Sequence, residues 1–270
     1  MVATLEIASH LRAMEVTGFC VVDHVIPEDR CQSIRQSLME AVIRERGKYP
    51  SPKNVAFVPT VINHDQSFAE YLADERLLQI VRGTLGNHPR ISFTSAIVNE
   101  PGNDRGEWHA DWPFNQRNAG HLPAPYPDVV FHLTTLWMLS PFRGQNGGTL
   151  IVPGSHRSPT NPTATNSGVD PQAAFPGETN ASGSAGSVLV MDSRLWHATA
   201  PNRTQEPRVA LAVRYAPWWL NTEVLRPGSD ERKRMVDEVG AKENQVPSLK
   251  RSVFDQLPLN VQQLYRHWIE

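Results

Sequence analysis

The sequence predicts a mainly β protein with flanking α-helices, its strands closed as a jelly roll. Three observations carry that expectation. Before about residue 85, apolar residues recur at helical spacing. From about 90 to 220 the pattern changes to short β-like runs separated by Gly, Pro and Asn. Beyond about 228 helical spacing returns. Two antiparallel sheets rolled together are one solution to the exposure of strand edges, which fits the middle stretch.

In order along the chain, residues 3–16 carry Leu5, Ile7, Leu11 and Met14 at helical spacing. Residues 16–23 read as a strand, and Pro27 stands as the first residue of a helix over 27–46, with Ile34, Leu38, Val42 and Ile43 on one side. Residues 50–66 hold three prolines and read as loop, and a third helix fits 67–85. Candidate strands follow at 91–99, 107–112, 128–139, 149–153, 186–191 and 207–216. Turn residues Asn146-Gly147-Gly148 and Pro153-Gly154-Ser155-His156 bracket one of them. The polar stretch 157–186 reads as a long loop, which in a compact domain is a functional lid or unstructured. A helix is expected over 257–270.

The chain has 270 residues and a formal net charge of −2, so no basic surface for nucleic acid is expected. All-β proteins of this length commonly form one domain, and one is expected over 1–270: helices over about 3–85, a jelly-roll core over about 90–220 and a helical segment over about 228–270. Cys20 and Cys31 match no zinc or redox spacing, and Cys20 lies in an apolar run. Neither a signal-peptide pattern nor a run of about 20 apolar residues is present, so a cytoplasmic protein is expected.

The chemistry concentrates in three places. In Glu107-Trp108-His109-Ala110-Asp111-Trp112 an extended chain turns His109 and Asp111 to one side, with Trp108, Ala110 and Trp112 on the other. An imidazole and a carboxylate so placed can bind adjacent positions on one metal. His197, in Leu195-Trp196-His197-Ala198-Thr199, supplies a third ligand. Two histidines and one carboxylate on one face of a metal leave three positions open, the arrangement of non-haem Fe(II) oxygenases. Taken alone, His197 could equally be a hydrogen-bonded core histidine. Third, Arg208 opens the apolar strand Arg-Val-Ala-Leu-Ala-Val-Arg-Tyr215. Burying a guanidinium without a partner is costly, so Arg208 calls for a carboxylate. Strand alternation puts Ala210, Ala212 and Arg214 on the same face. Arg214 is either a second binding group, for a substrate carboxylate, or half of a structural ion pair.

Taken together and in order, the blocks WHAD at 108–111, NGGTLIVPGSH at 146–156 and WHATAPNRTQEPRVALAVRYA at 196–216 resemble the phytanoyl-CoA dioxygenase superfamily of Fe(II)/2-oxoglutarate oxygenases. The resemblance implies a double-stranded β-helix with iron held by His109, Asp111 and His197. It also implies that 2-oxoglutarate chelates the metal and sets its far carboxylate on Arg208 and Thr199. O₂ then oxidises 2-oxoglutarate to succinate and CO₂ while the substrate is hydroxylated, desaturated or epoxidised. Related halogenases lack the carboxylate ligand, so Asp111 argues against halogenation. This family often presents a polar or Trp residue from the strand around 133–139. Thr134, Thr135 and Trp137 are the candidates here, Thr135 for the co-substrate and Trp137 for the substrate. Ala110 stands where the family often has Gln, and Glu100 where a basic residue often precedes Pro-Gly.

Trp108, Trp112, Phe114 and Trp196 surround the ligand motifs and either line a substrate pocket or pack the core. His132 and His156 read as structural. No basic cluster suits a CoA thioester, so a small or medium-sized substrate is expected. Two rivals remain: a metal enzyme on a similar barrel that needs no 2-oxoglutarate, and a non-catalytic binding module.

Overall fold

A computed structural model describes residues 2–164 and 167–270. The chain opens with α1 (Val2–Thr17), β1 (Phe19–Val22) and α2 (Glu28–Glu45). It continues through β2 (Val55–Pro59) and α3 (Glu75–Leu85) into the long strand β3 (Pro89–Asn99). Six strands complete the β part: β4 (Leu133–Met138), β5 (Leu150–Ile151), β6 (Thr179–Asn180), β7 (Val188–Asp192), β8 (His197–Ala198) and β9 (Arg208–Pro217). The last stretch holds α4 (Asp230–Arg232), continued by a π-turn over Lys233–Asp237, then α5 (Arg251–Phe254) and α6 (Leu259–Tyr265).

The strands form two antiparallel sheets. The larger has the order β1-β7-β4-β9-β3-β2 and the smaller β6-β5-β8. Together they make the expected double-stranded β-helix. Alternation along β9 separates two environments. Val209, Leu211, Val213 and Tyr215 join the main core, where Ile34, Leu38 and Val42 of α2, Leu77 and Ile80 of α3, and Val261 and Leu264 of α6 also lie. Ala210 and Ala212 turn inward and pack with Leu136, Met138, Leu189 and Met191 between the sheets. Small residues on this inner face leave room for a cavity. Cys20 and Cys31 are free and buried, and burial pushes the Cys20 thiol up to about 12.

The structure departs from expectation at several elements. Residues 50–66 contain β2, which pairs with β3 at the edge of the large sheet. Prolines mask it in sequence, yet Pro59 sits at the strand end, where a missing N–H costs little. The helix expected over 67–85 splits into a 3₁₀ turn, Ala69–Ala73, and α3, because the Asp74 carboxylate accepts the Leu77 N–H and starts a new helix. Pro27 precedes α2 as its cap rather than opening it. In 107–112 a single ladder pair forms, His109 with His197, and the Asp111 N–H donates to Ser193 O.

The 157–186 stretch carries β6 and is pinned at several points. The Trp108 N–H donates to Pro171 O, the Trp108 indole to Ala173 O, and Arg105 pairs with Glu178 at 2.7 Å. Thr165 and Asn166 within it lie outside the described residues.

Candidate metal centre

His109 and His197 face each other across their ladder pair, each backbone N–H bonded to the other's carbonyl at 3.1 and 3.0 Å. That pairing brings together two residues 88 positions apart in sequence (197 − 109) and adds Asp111 from the next inward position. One ligand atom from each of the three lies within 4.8 Å of the others. His109 Nε2 is 3.9 Å from Asp111 Oδ1, and His197 Nε2 is 3.5 Å from Asp111 Oδ2.

The ring orientations fit a metal. His109 Nδ1 lies 2.9 Å from Glu107 O, and His197 Nδ1 lies 2.8 Å from Leu195 O. A carbonyl only accepts, so each Nδ1 carries the proton and each Nε2 lone pair points to the shared centre. Burial, then the neighbouring His109, lowers the His197 pKa to about 4, so its imidazole is neutral at pH 7, the form that binds metal. His109 keeps 34% of its side chain exposed, against 9% for His197 and 6% for Asp111, so access to the centre is on the His109 side.

Asp111 is held by two groups besides the histidines. Arg214 Nη2 donates to Oδ1 at 2.7 Å and Thr134 Oγ1 to Oδ2 at 2.7 Å. Burial alone would raise its pKa, but Arg214, then the two histidines and the Thr134 hydroxyl, keep it well below the usual carboxylate range. Thr134 and its neighbours form a closed buried circuit. Thr134 Oγ1 meets Ser193 Oγ at 2.9 Å, Ser193 Oγ meets His132 Nδ1 at 2.8 Å, and His132 Nε2 meets Ser92 Oγ at 2.8 Å. Ser92 then donates to the carbonyl of Arg214. This gives His132 the structural role expected of it.

A cavity of about 100 Å³ joins the three candidate ligands to Thr199, Thr149 and Arg208. Arg208 is buried, with Nε donating to Gly147 O at 3.1 Å and the guanidinium 4.6 Å over the Phe142 ring. Gly147 can present that carbonyl because it adopts a φ of +84°, and a Cβ there would sit 3.0 Å from Ala200 O. Among the described residues no carboxylate pairs with Arg208. Desolvation without compensation lowers its pKa to about 9.

Other expected site residues fall elsewhere. Thr135 and Trp137 are on the outer face of β4: Thr135 Oγ1 donates to Val213 O, accepts from Trp137 Nε1, and Trp137 joins the helix-covered core. The inner residues are Thr134 and Leu136, one position along. Trp108 and Trp196 pack with Leu150 and Val152, and Phe114 packs with Ala110 and Tyr126, so none of these lines a cavity at the ligands. Trp112 does line one, since the chain turns at residue 112 and leaves the strand alternation. Arg214 turns inward as expected, but its charge is engaged by Asp111. His156 is buried beneath Gly18, away from the cluster. Ile97, Thr149, Phe57 and Phe93 also line these cavities, and strand register or a loop-like composition conceals them in the sequence.

Fold and site define a double-stranded β-helix protein whose cavity gathers two histidines, one carboxylate and a buried free arginine. A model of the phytanoyl-CoA dioxygenase (PhyH) family matches residues 14–210, and the chain belongs to that family. It is 28% identical over 168 residues to "Dioxygenase af480" of Aspergillus fumigatus, a match covering 62% of this chain and 49% of that protein. The chain therefore spans about half the length of that relative. It is 24% identical over 214 residues to the uncharacterized protein Rv1501 of Mycobacterium tuberculosis, covering 74% of this chain and 71% of that protein. Among solved structures it is similar to HygX from Streptomyces hygroscopicus with nickel and 2-oxoglutarate bound (TM-score 0.60, 20% identity, 79% of this chain and 88% of that one). It is also similar to the alpha-ketoglutarate-dependent carbocyclase SnoK from nogalamycin biosynthesis (TM-score 0.61, 18% identity, 77% and 83%). At these identities the two structures speak for the fold. No helix among the described residues is long and apolar enough to cross a membrane.

Proposed function

We propose that the protein is an Fe(II)- and 2-oxoglutarate-dependent dioxygenase that hydroxylates a C–H bond of a small molecule. The observation that carries this reading is Arg208. A buried guanidinium without a carboxylate partner lines the same cavity as a two-histidine, one-carboxylate cluster. A dicarboxylate that reaches from the metal to Arg208 accounts for both features, and family membership supplies the chemistry. When bound, iron couples oxidation of 2-oxoglutarate by O₂, to succinate and CO₂, to insertion of one oxygen atom into the substrate.

The chain's own residues have separable tasks. His109, Asp111 and His197 hold the metal on one face. Their Nδ1–carbonyl bonds, with Arg214 and Thr134 on the carboxylate, fix their orientation. Arg208 binds the far carboxylate of 2-oxoglutarate in a bidentate fork, with the Thr199 hydroxyl beside it. Desolvation strengthens that pairing, because among the described residues no carboxylate competes for the charge.

The test is an anaerobic titration of the metal-free protein with Fe(II), then 2-oxoglutarate, followed by visible absorption. A weak charge-transfer band that requires both supports the reading. Metal binding without the band points to a barrel enzyme that does not use 2-oxoglutarate. No metal binding points to a non-catalytic module.

A further inference from the structure

A second cavity, of about 220 Å³, meets the ligand cluster. It shares His109, Asp111 and Arg214 with the first but excludes Arg208, and its remaining walls include Phe57, Phe93, Trp112 and Asn115. The exposed residues Asn244 and Gln245 stand at its margin. We propose that this cavity is the substrate chamber, and that it takes a small, neutral, ring-bearing molecule with an oxygen that accepts hydrogen bonds. The proposal rests on the dioxygenase reading, which requires a substrate C–H bond next to the metal.

Four features select that chemistry. The chamber ends on His109 and Asp111, so an occupant lies beside the metal position. Two of its lining residues hold buried donors without a partner among the described residues: the indole N–H of Trp112 and Nε of Arg214. A buried donor left unpaired is destabilising, and an acceptor oxygen on the ligand would relieve that. Arg214 is already paired with Asp111 at 2.7 Å, so the lining side chains themselves leave no free charge to meet a charged substrate. The other polar groups, Asn115, Asn244 and Gln245, are neutral amides. Neither an anionic nor a cationic substrate is matched, which removes the role expected of Arg214 as a substrate-carboxylate anchor. Last, the Phe57 and Phe93 rings lie 6.1 Å apart at 23°, with the Arg214 guanidinium 4.6 Å over Phe93, a flat aromatic wall that suits a ring. The cavity has room beside the ligands for a ring with few substituents.

The experiment uses benzamide, benzoate and 1-octanol as probes, read by saturation-transfer NMR on the full chain, metal-free and with Zn(II) and 2-oxoglutarate. Benzamide is expected to bind more tightly than the other two. Replacing Zn(II) by Mn(II) is expected to broaden the benzamide protons, because the probe sits beside the metal. Trp112→Phe keeps the ring and removes the donor, so it should weaken benzamide about fivefold, the worth of one hydrogen bond. Asn115→Leu, on the wall, should weaken it as well. Benzoate or octanol binding as tightly as benzamide, unchanged benzamide affinity in both variants, or no benzamide binding to the wild type would overturn the proposal. Failure of the dioxygenase reading registers separately, as no charge-transfer band with Fe(II) and 2-oxoglutarate while benzamide still binds the metal-free protein.

Discussion

Arg208 and Arg214 stand at opposite ends of one inward-facing row of β9, separated by Ala210 and Ala212, and they live in different circumstances. Arg214 has Asp111 at 2.7 Å and keeps a normal ion-pair role. Arg208 has only a backbone carbonyl and an aromatic ring, and its pKa falls to about 9. Same residue type, same strand face, opposite electrostatic state: what an inward arginine does is decided by what crosses the barrel to meet it. One holds the carboxylate of the candidate metal site, and the other is left free for a carboxylate from solution.

Breaking the cluster itself should give the largest effect. His109→Ala and Asp111→Ala are both expected to abolish turnover, measured as succinate release. They should differ in stability. Asp111→Ala leaves the half-buried Arg214 guanidinium unpaired, whereas His109→Ala leaves no charge unpaired. Chemical denaturation of the metal-free proteins should separate them, and equal stability would argue against the Arg214–Asp111 pair.

Next comes Arg214→Met, which leaves Asp111 buried beside neutral neighbours. A loss of ~3–5 kcal/mol in metal-free stability is expected, as for other broken buried pairs. Adding Asp111→Asn should recover much of it. Arg208→Met should do the opposite, raising metal-free stability by ~1 kcal/mol because an uncompensated buried charge disappears. Its cost falls on co-substrate binding, with 2-oxoglutarate affinity down ~100-fold, the value of a charge-assisted bidentate pair, and metal affinity unchanged. If both arginine variants shifted stability in the same direction, the contrast between them would fail.

A graded effect of pH is expected. His132 sits in the hydrogen-bonded circuit behind Asp111, and burial, then Arg214, lowers its pKa to about 3 from 6.5. The unfolded chain takes up a proton below about pH 6.5 that the folded chain refuses until near 3. Stability is therefore full above 6.5 and falls as pH drops toward 3, by ~1.4 kcal/mol per unit for such a group. His132→Gln should flatten that slope in thermal melts between pH 6.5 and 4.

The legible parts of the site were local. His109 and Asp111 lie two apart, and the alternation Arg208, Ala210, Ala212, Arg214 belongs to one strand, so a period of two was enough to orient them. The β4 contribution was not legible, because Leu-Thr-Thr-Leu-Trp-Met is buried on both faces. Its pattern does not say which threonine faces inward, and a slip of one residue exchanges Thr134 for Thr135. The partner of Arg214 lies 103 residues away, and no periodicity reports a pairing made by barrel closure. Phe57 was hidden in a proline-rich stretch whose strand exists because β3 offers it an edge. Trp112 escaped alternation because the chain bends directly after Asp111. Helices and long strands were mostly located, while the two-residue strands β6 and β8 were too short to register as patterns.

Trp112, Phe93, Val246 and Trp268 belong to one apolar cluster. The segment after β9 thus returns to the chamber, with Trp268 in its packing and Asn244 and Gln245 at its margin, beyond residues 14–210 that the family model matches. The candidate metal and co-substrate residues lie within or beside the barrel strands, whereas this later segment lines the proposed substrate chamber. In that reading the last fifty or so residues bear on which substrate is taken, and the strands bear on what is done to it.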